Sequence, residues 1–296
     1  MAIAISFLLL DRGSVLKDLI ESEQITTIRL NKIFRQAAKS KIIVNAHRVN
    51  EGENFIAKGS KEAEDTNDDF FYINEQLQDK MLYNVISLAK DRLSKYGNYN
   101  FFNDMQVLSP TKKGSLGTKE LNKALQNALN PESEYKKEKQ YGENVFREGD
   151  RVMQVKNDYD ILWERKNSKE VGNGIFNGEI GTISKIYQEE KQIKVEFDDE
   201  KIAWYDFSSL EELELAYCIT IHKSQGSEFN VIILVIPQAA PMLLTRNLLY
   251  TAITRAKKLL VVIGANKTIE FMINNVESKT RNTGLEYKLR KLGANN

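Results

Sequence analysis

The segment that most constrains the fold is Val231–Ile236, an unbroken run of apolar residues. Such a run is typical of a β-strand buried on both faces, as in a parallel sheet covered by helices. Leu259–Ile263 is a second run of this kind, and Met105–Leu108 is a further strand that stops at a Ser-Pro pair. Helical spacing separates the strands over Asn31–Asn50, Leu77–Leu93, Lys119–Leu129 and Arg246–Ala256. Strands and helices that alternate in this way predict an α/β fold with a parallel sheet.

A different pattern interrupts this alternation from Val145 onward. Short β segments separated by turns follow one another as far as Tyr205. A turn-dense stretch of about 65 residues has the size of a small barrel that folds as a module. We therefore predict one α/β domain in two parts, residues 1–144 and 213–296, with a β-barrel inserted at residues 145–212.

Two polar stretches show no apolar periodicity. Glu132–Gly142 is a run of charged residues, which predicts a linker before the barrel. Gly172–Gly174 lies in polar surroundings, which predicts a mobile loop.

Composition excludes several classes of protein. Cys218 is the only cysteine, so an internal disulfide cannot form, and with only His47 and His222 besides it we predict no metal site. The chain has 42 Lys and Arg against 41 Asp and Glu, a net charge of +1. That balance excludes a uniformly basic coat for nucleic acid but leaves room for a local basic stripe.

The apolar start of the chain, Met1–Leu10, is shorter than the roughly 20 residues that cross a bilayer. It also lacks the basic region and the small-residue cleavage site of a signal peptide. We therefore expect a cytoplasmic protein with no membrane partner.

Two short stretches have the composition of a functional site. Thr220–Phe229 brings hydroxyls, an imidazole, an amine and a glycine to the end of a strand, where ligands bind in open α/β sheets. Leu249–Lys258 places Arg255 near a helix end, where a guanidinium can reach a phosphate. Each stretch also has a structural explanation. The first can be a polar turn between strands, and the second a basic helix C-terminus that the helix dipole favours.

Four stretches, taken in order, resemble the C-terminal motor half of superfamily-one DNA helicases, nearest to the RecD-like branch known from exonuclease V alpha subunits. They are Ile33–Gln36 (motif IV), Val107–Gly117 (an S-P-x-x-x-G loop), Thr220–Phe229 (motif V) and Tyr250–Ala256 (motif VI). The resemblance extends from Gly13 to about Gly284. It implies that the α/β domain is the second RecA-like motor domain and that the insertion is an SH3-like barrel.

The resemblance also implies roles for individual residues. Arg35 and Arg255 would face the triphosphate as arginine fingers, and Gln36, Gly226 and Glu228 would bind the nucleotide. Contacts to single-stranded DNA would come from Ser109, Thr111, Lys112, Thr220, His222 and Lys223. The complete helicase would use ATP and Mg²⁺ and move in the 5′ to 3′ direction, and nuclease and helicase subunits of a recombination complex would be further partners.

One departure from the family is large. The chain contains no G-x-x-x-x-G-K-[ST] loop, so the first motor domain with its Walker A and Walker B residues is missing. The expected Gly-Asp-x-x-Gln-Leu-Pro-Ser stretch is replaced by Met1–Leu9. A shifted reading frame of the DNA for Met1–Leu9 can encode such a stretch. We therefore hypothesise that this start is a frameshift product, or a start in the wrong frame, within a longer helicase gene.

Two classes of function remain open. The chain is either the C-terminal fragment of an ATP-dependent DNA helicase acting in repair and recombination, or a truncated, catalytically inactive product that only binds single-stranded DNA. Both readings use the same residues. A third possibility is that the motifs survive as a folded relic without a role. Because no phosphate-binding loop is present, we predict that the chain alone hydrolyses no ATP and binds no cofactor tightly.

Overall fold

The computed structural model describes residues 15–28, 40–55, 68–276 and 284–293. Its strands are β1 Phe70–Asn74, β2 Met105–Ser109, β3 Glu138–Tyr141, β4 Asn144–Arg147, β5 Arg151–Gln154, β6 Asp158–Arg165, β7 Val171–Ile175, β8 Ile180–Tyr187, β9 Gln192–Phe197, β10 Lys201–Asp206, β11 Leu213–Leu215, β12 Cys218–Thr220, β13 Phe229–Ile236 and β14 Ala256–Gly264. Its α-helices are α1 Val15–Glu21, α2 Lys41–Glu51, α3 Gln78–Ser87, α4 Leu93–Gly97, α5 Phe101–Asp104, α6 Thr118–Leu129, α7 Arg246–Ile253, α8 Asn266–Asn274 and α9 Leu285–Gly293.

These elements form two compact units. The first unit comprises residues 1–76 and 225–296, so far as they are described, and the second comprises residues 77–224. The division falls within motif V, between Ser224 and Gln225. The domain boundaries predicted from the sequence, at residues 144 and 212, stay predictions.

The first unit contains the apolar strands that the sequence predicts. β14 lies between β1 and β13 and runs parallel to both. Every residue of Val231–Ile236 is completely buried, and α2 and α7 pack on each other and on β14. The prediction of a parallel sheet with helices is thereby confirmed.

Helix α2 shows how local sequence sets the ends of an element. Ser40 begins it, because its Oγ accepts a hydrogen bond from the Ile43 amide at 3.3 Å. Gly52 ends it with φ of +85°, a left-handed conformation that glycine adopts without steric cost. The predicted helix over Asn31–Asn50 ends as expected, but it is not one unbroken helix, because Ser40 has an extended backbone with ψ of 119° and the helix begins at Lys41. Its first part, residues 31–39, lies outside the described residues.

The second unit contains a parallel pair and an antiparallel sheet. β2 and β12 are parallel, and the seven antiparallel strands have the order β11-β5-β8-β9-β10-β6-β7. Phe146, Ile183, Val195 and Tyr205 are almost or completely buried in this region. The predicted helix over Leu77–Leu93 is present as α3 and α4, joined by one π-helical turn over Leu88–Arg92.

Two sequence predictions in this unit are wrong. The charged stretch Glu132–Gly142 is not wholly a linker, because β3 pairs with β4 and Arg147 forms an ion pair with Glu138. Gly172–Gly174 is not a mobile loop but part of strand β7, opposite β6. A Cβ atom at Gly172 would lie 2.4 Å from the ring of Trp163. The glycine is needed because the indole lies across the backbone of β7.

One buried carboxylate joins several elements of the second unit. Asp150 is completely buried. Its oxygens accept four hydrogen bonds, from the Arg147 amide at 2.7 Å, Gln126 Nε2 at 2.6 Å, Asn130 Nδ2 at 2.7 Å and the Tyr217 hydroxyl at 2.8 Å. Burial raises the pKa of Asp150, and the four hydrogen bonds only partly oppose that rise. Asp150 therefore ties α6 to the turn before β5 and to the segment before β12.

Candidate functional site

The parallel pair in the second unit brings two loops together. Ser109 at the end of β2 lies opposite Thr220 at the end of β12. The Ile221 amide donates to the Ser109 carbonyl at 3.1 Å, which extends the pairing beyond the strands. Both loops therefore leave the carboxyl edge of parallel strands, where ligands bind in α/β sheets.

The loop after β2 is tightly closed. Ser109 is completely buried and its hydroxyl donates to the Leu116 carbonyl at 2.8 Å. Thr111 donates to the Lys113 carbonyl at 3.2 Å. A Cβ atom at Gly117 would lie 2.6 Å from the backbone of Lys113, so only glycine permits this closure. The Ser109 hydroxyl therefore holds the loop together, whereas Lys112 is exposed at its surface.

The turn after β12 has buried hydroxyl groups and an imidazole at its surface. Thr220 is buried, and its Oγ1 accepts from the Lys223 amide at 3.3 Å. Ser224 is completely buried, and its hydroxyl donates to the Ile221 carbonyl at 2.8 Å. His222 lies at the surface, but partial burial of its ring lowers its pKa. Its imidazole is therefore neutral at pH 7 and offers a polar ring rather than a charge.

A carboxylate that sequence reasoning missed links the two loops. Glu214 Oε2 lies 2.8 Å from Lys223 Nζ, and Glu214 Oε1 lies 3.8 Å from Lys112 Nζ. Burial alone would raise the pKa of Glu214, but the hydrogen bond and charge of Lys223, with the charge of Lys112, hold it below its usual value. The alternation Leu213-Glu214-Leu215 was the available signal, because both leucines are buried and the glutamate points away from them.

The first unit holds the residues predicted to bind the nucleotide. Gly226 is exposed and has φ of +86°, and a Cβ atom added to it would meet no atom of the described residues within 4 Å. Its backbone conformation, not its lack of volume, requires glycine there. Glu228 Oε2 pairs with Lys257 Nζ at 3.2 Å, and both side chains are largely exposed.

Arg255 folds back on the end of its own helix. Its Nε donates to the Thr251 carbonyl at 3.1 Å, Nη1 to the Ser227 carbonyl at 3.2 Å and Nη2 to Thr254 Oγ1 at 3.2 Å. Partial burial lowers the pKa of Arg255, although a guanidinium stays charged at neutral pH. Among the described residues, these three bonds use three of its five N–H donors, which leaves two for an incoming anion.

Other sequence predictions cannot be placed. Arg35 and Gln36, with the rest of motif IV, lie outside the described residues, and so does the segment Met1–Leu9. Within the described part of the chain, no three His, Cys, Asp or Glu side chains are grouped so that they could hold a metal ion. In the same part, no helix is long and apolar enough to cross a membrane.

Comparison with known proteins shows that this chain is similar to DNA helicases. Residues 121–197 match the family model described as the ATP-dependent RecD-like DNA helicase SH3 domain, and residues 215–263 match the UvrD-like helicase C-terminal domain. The chain is 32% identical over 264 residues to the ATP-dependent RecD2 DNA helicase of Deinococcus radiodurans. This chain belongs to the RecD-like helicase family. The SH3 match begins in α6 and covers β3–β9, which confirms the predicted type of insertion.

Other relatives of this RecD-like chain show how much of the family it represents. It is 33% identical over 220 residues to the uncharacterized protein MJ1519 of Methanocaldococcus jannaschii, and 26% identical over 247 residues to the RecBCD enzyme subunit RecD of Buchnera aphidicola. These two matches cover 68% and 80% of the chain, and the Deinococcus match covers 89%. The chain spans only 32%, 18% and 39% of the Deinococcus, Methanocaldococcus and Buchnera proteins, respectively.

A solved structure is also similar. The crystal structure of the Bacteroides Pif1 helicase in complex with ADP-AlF3 and ssDNA is 16% identical, with a TM-score of 0.43, and the match covers 90% of this chain and 57% of that one.

Proposed function

We propose that this chain is the C-terminal motor region of an ATP-dependent DNA helicase that moves 5′ to 3′ along single-stranded DNA. The single observation that supports it best is the pair of loops after β2 and β12, which begin side by side at Ser109 and Thr220 and present Lys112 and Lys223. Ammonium groups of this kind position nucleic acid by its phosphates.

In this proposal, the residues on the DNA side form two groups: side chains that contact DNA, and side chains whose hydroxyls are already hydrogen-bonded within the loops. Lys112 and Lys223 bind phosphates, and the neutral ring of His222 offers a polar contact or a stacking face. Ser109 and Thr220 shape the two loops, since their hydroxyls already hydrogen-bond within them. Thr111 is half-buried and bonded within its own loop, so its contact to DNA is through the loop backbone it orients.

The nucleotide side fits one part of an ATP site. Arg255 keeps two N–H donors for phosphate oxygens, and the open space above Gly226 admits close approach of a ligand to the backbone. Arg35, Gln36 and Glu228 complete this side of the site in the proposal. ATP, when bound, supplies the phosphoryl transfer that drives the motor. The phosphate-binding loop and the Mg²⁺ ligands belong to another motor domain, because neither is recognisable in this sequence.

The partners in this proposal are single-stranded DNA and that other motor domain. The relatives named RecBCD enzyme subunit RecD suggest nuclease and helicase subunits as further partners. A cytoplasmic location belongs to the same proposal.

Hydrogen exchange of the purified chain with and without an oligothymidine strand tests the DNA side. We expect slower exchange at residues 110–117 and 221–224, because these two loops would be covered. Exchange in β6 and β7 serves as an internal reference, since neither strand belongs to the two loops. Equal exchange of both loops with and without DNA would contradict the proposal.

DNA-stimulated ATP hydrolysis tests the nucleotide side and separates the two classes of function. The chain alone is expected to hydrolyse no ATP. If this chain is a working part of the motor, mixing it with a separately produced first motor domain of the same family should raise the ATPase rate above that of the added domain alone. The Arg255→Ala variant should not raise it. If the wild-type chain adds nothing, the chain is a product that only binds DNA. Robust hydrolysis by the chain alone would overturn the assignment of the phosphate-binding loop to another domain.

A further inference from the structure

The carboxylate of Glu214 lies between the two lysines that the proposed function assigns to DNA. Its Oε2 is 2.8 Å from Lys223 Nζ and its Oε1 is 3.8 Å from Lys112 Nζ. Its two oxygens thus face two cations that come from different loops. A phosphate group of a DNA strand also presents two anionic oxygens in this way.

The backbone fixes the place of this carboxylate. Glu214 is the middle residue of β11, and β11 pairs with β5 in the antiparallel sheet, with Glu214 opposite Met153. Leu213 and Leu215 on either side are buried. Because neighbouring side chains of a strand point to opposite faces, the two leucines hold Glu214 in its outward direction.

The charges show what the carboxylate does to a phosphate site. Two lysines and one glutamate leave a local charge of +1, and removing the carboxylate would leave +2. The lysine side chains are 60% and 22% exposed and that of Glu214 is 45% exposed, so water and DNA can reach the cluster. A DNA strand whose phosphates bind these lysines must displace Glu214 from them.

We propose that Glu214 is a built-in substitute for a DNA phosphate, which holds Lys112 and Lys223 in place without DNA and competes with the strand for them. The inference rests on the proposed function, because it requires these lysines to bind DNA. It makes the antiparallel sheet, through β11, a regulator of how tightly the motor region holds its track. Weak holding suits a protein that must release each phosphate as it steps.

Glu214→Gln tests the inference, with Glu211→Gln as the matched control. Both variants remove one negative charge, and Glu211 pairs with Lys156 at 3.6 Å rather than with Lys112 or Lys223. Binding of a fluorescent oligothymidine is measured by anisotropy between about 50 and 200 mM salt. We expect Glu214→Gln to bind about two- to fivefold more tightly, since no partly exposed ion pair has to be broken. The slope of log affinity against log salt should steepen by about 0.7, the value for one more phosphate neutralised on a single strand.

Two further comparisons complete the test. Glu214→Asp keeps the charge but withdraws the carboxylate from the lysines, so we expect a smaller gain in affinity and the wild-type slope. Glu211→Gln should match the wild type in both. If Glu214→Gln binds DNA with unchanged or weaker affinity and an unchanged slope, the inference is wrong although the proposed function stands. If neither the wild type nor Glu214→Gln binds, the proposed function and the inference both fail.

Discussion

Replacing Asp150 with alanine should destabilise the second unit severely. The substitution removes the acceptor of four hydrogen bonds at a completely buried position. Gln126 Nε2 and Asn130 Nδ2 each carry two N–H groups, of which one keeps its acceptor, the carbonyl of Val145 or Glu148, and the other loses Asp150. The Arg147 amide and the Tyr217 hydroxyl lose the acceptor that Asp150 gives them.

The size of the effect follows from these four donors. Each buried donor without an acceptor costs about 1–3 kcal/mol. The loss for four such donors is therefore at least about 4 kcal/mol in the free energy of unfolding. Asp160→Ala is the matched control. Asp160 is exposed, and its change should stay within about 0.5 kcal/mol.

Urea unfolding followed by tryptophan fluorescence measures this loss. Trp163 and Trp204, the only tryptophans, both lie in the antiparallel sheet of the second unit, so their fluorescence reports on the unit that contains Asp150. A loss below about 1 kcal/mol for Asp150→Ala, or one equal to that of Asp160→Ala, would refute the view that this carboxylate holds the unit together.

Three further predictions concern particular groups. Gly117→Ala should weaken oligothymidine binding and lower the urea midpoint, because its Cβ would lie 2.6 Å from the Lys113 backbone; unchanged binding would show that loop closure does not matter. Cys218 is buried and burial raises the pKa of its thiol, so a thiol reagent should react with it only in urea, and rapid reaction of the folded chain would contradict its burial. Folding raises the pKa of Asp150, so the folded state binds the proton of this carboxyl group more tightly than the unfolded state does. The stability that this proton contributes is therefore complete below about pH 4 and is lost as pH rises through the raised pKa. Urea titrations at stepped pH should show that Asp150→Asn lacks this fall, and parallel pH profiles would contradict the assignment.

The sequence predicts the layers of the fold better than its irregular parts. The apolar run Val231–Ile236 indicates a strand buried on both faces, and it is one, because side chains on both faces of a covered parallel strand must be apolar. The charged stretch that ends at Gly142 is wrongly predicted to be a linker, since the pairing of Glu138 with Arg147 depends on a partner strand that composition does not reveal. The prediction of a mobile loop at Gly172 is wrong in the same way, because the ring that requires a glycine there belongs to Trp163 on another strand.

The candidate site shows the same limit. Motif order correctly indicates the family and draws attention to Lys112 and Lys223. It does not reveal that Glu214 lies between them, because Lys112 is distant from Glu214 in the chain and only the fold brings them together. Nor does it reveal that the Ser109 hydroxyl is hydrogen-bonded within its own loop, which only the closed loop geometry shows.

The affinity of the chain for single-stranded DNA, measured for the wild type and for Lys112→Ala/Lys223→Ala, is the decisive test of the proposed DNA track. We predict measurable, salt-dependent binding of an oligothymidine by the wild type. The double variant should bind more weakly, with a slope shallower by about 1.4 if each lysine neutralises one phosphate of a single strand. Equal affinity and equal slope for the two proteins would contradict the claim that these strand-end loops form the DNA track.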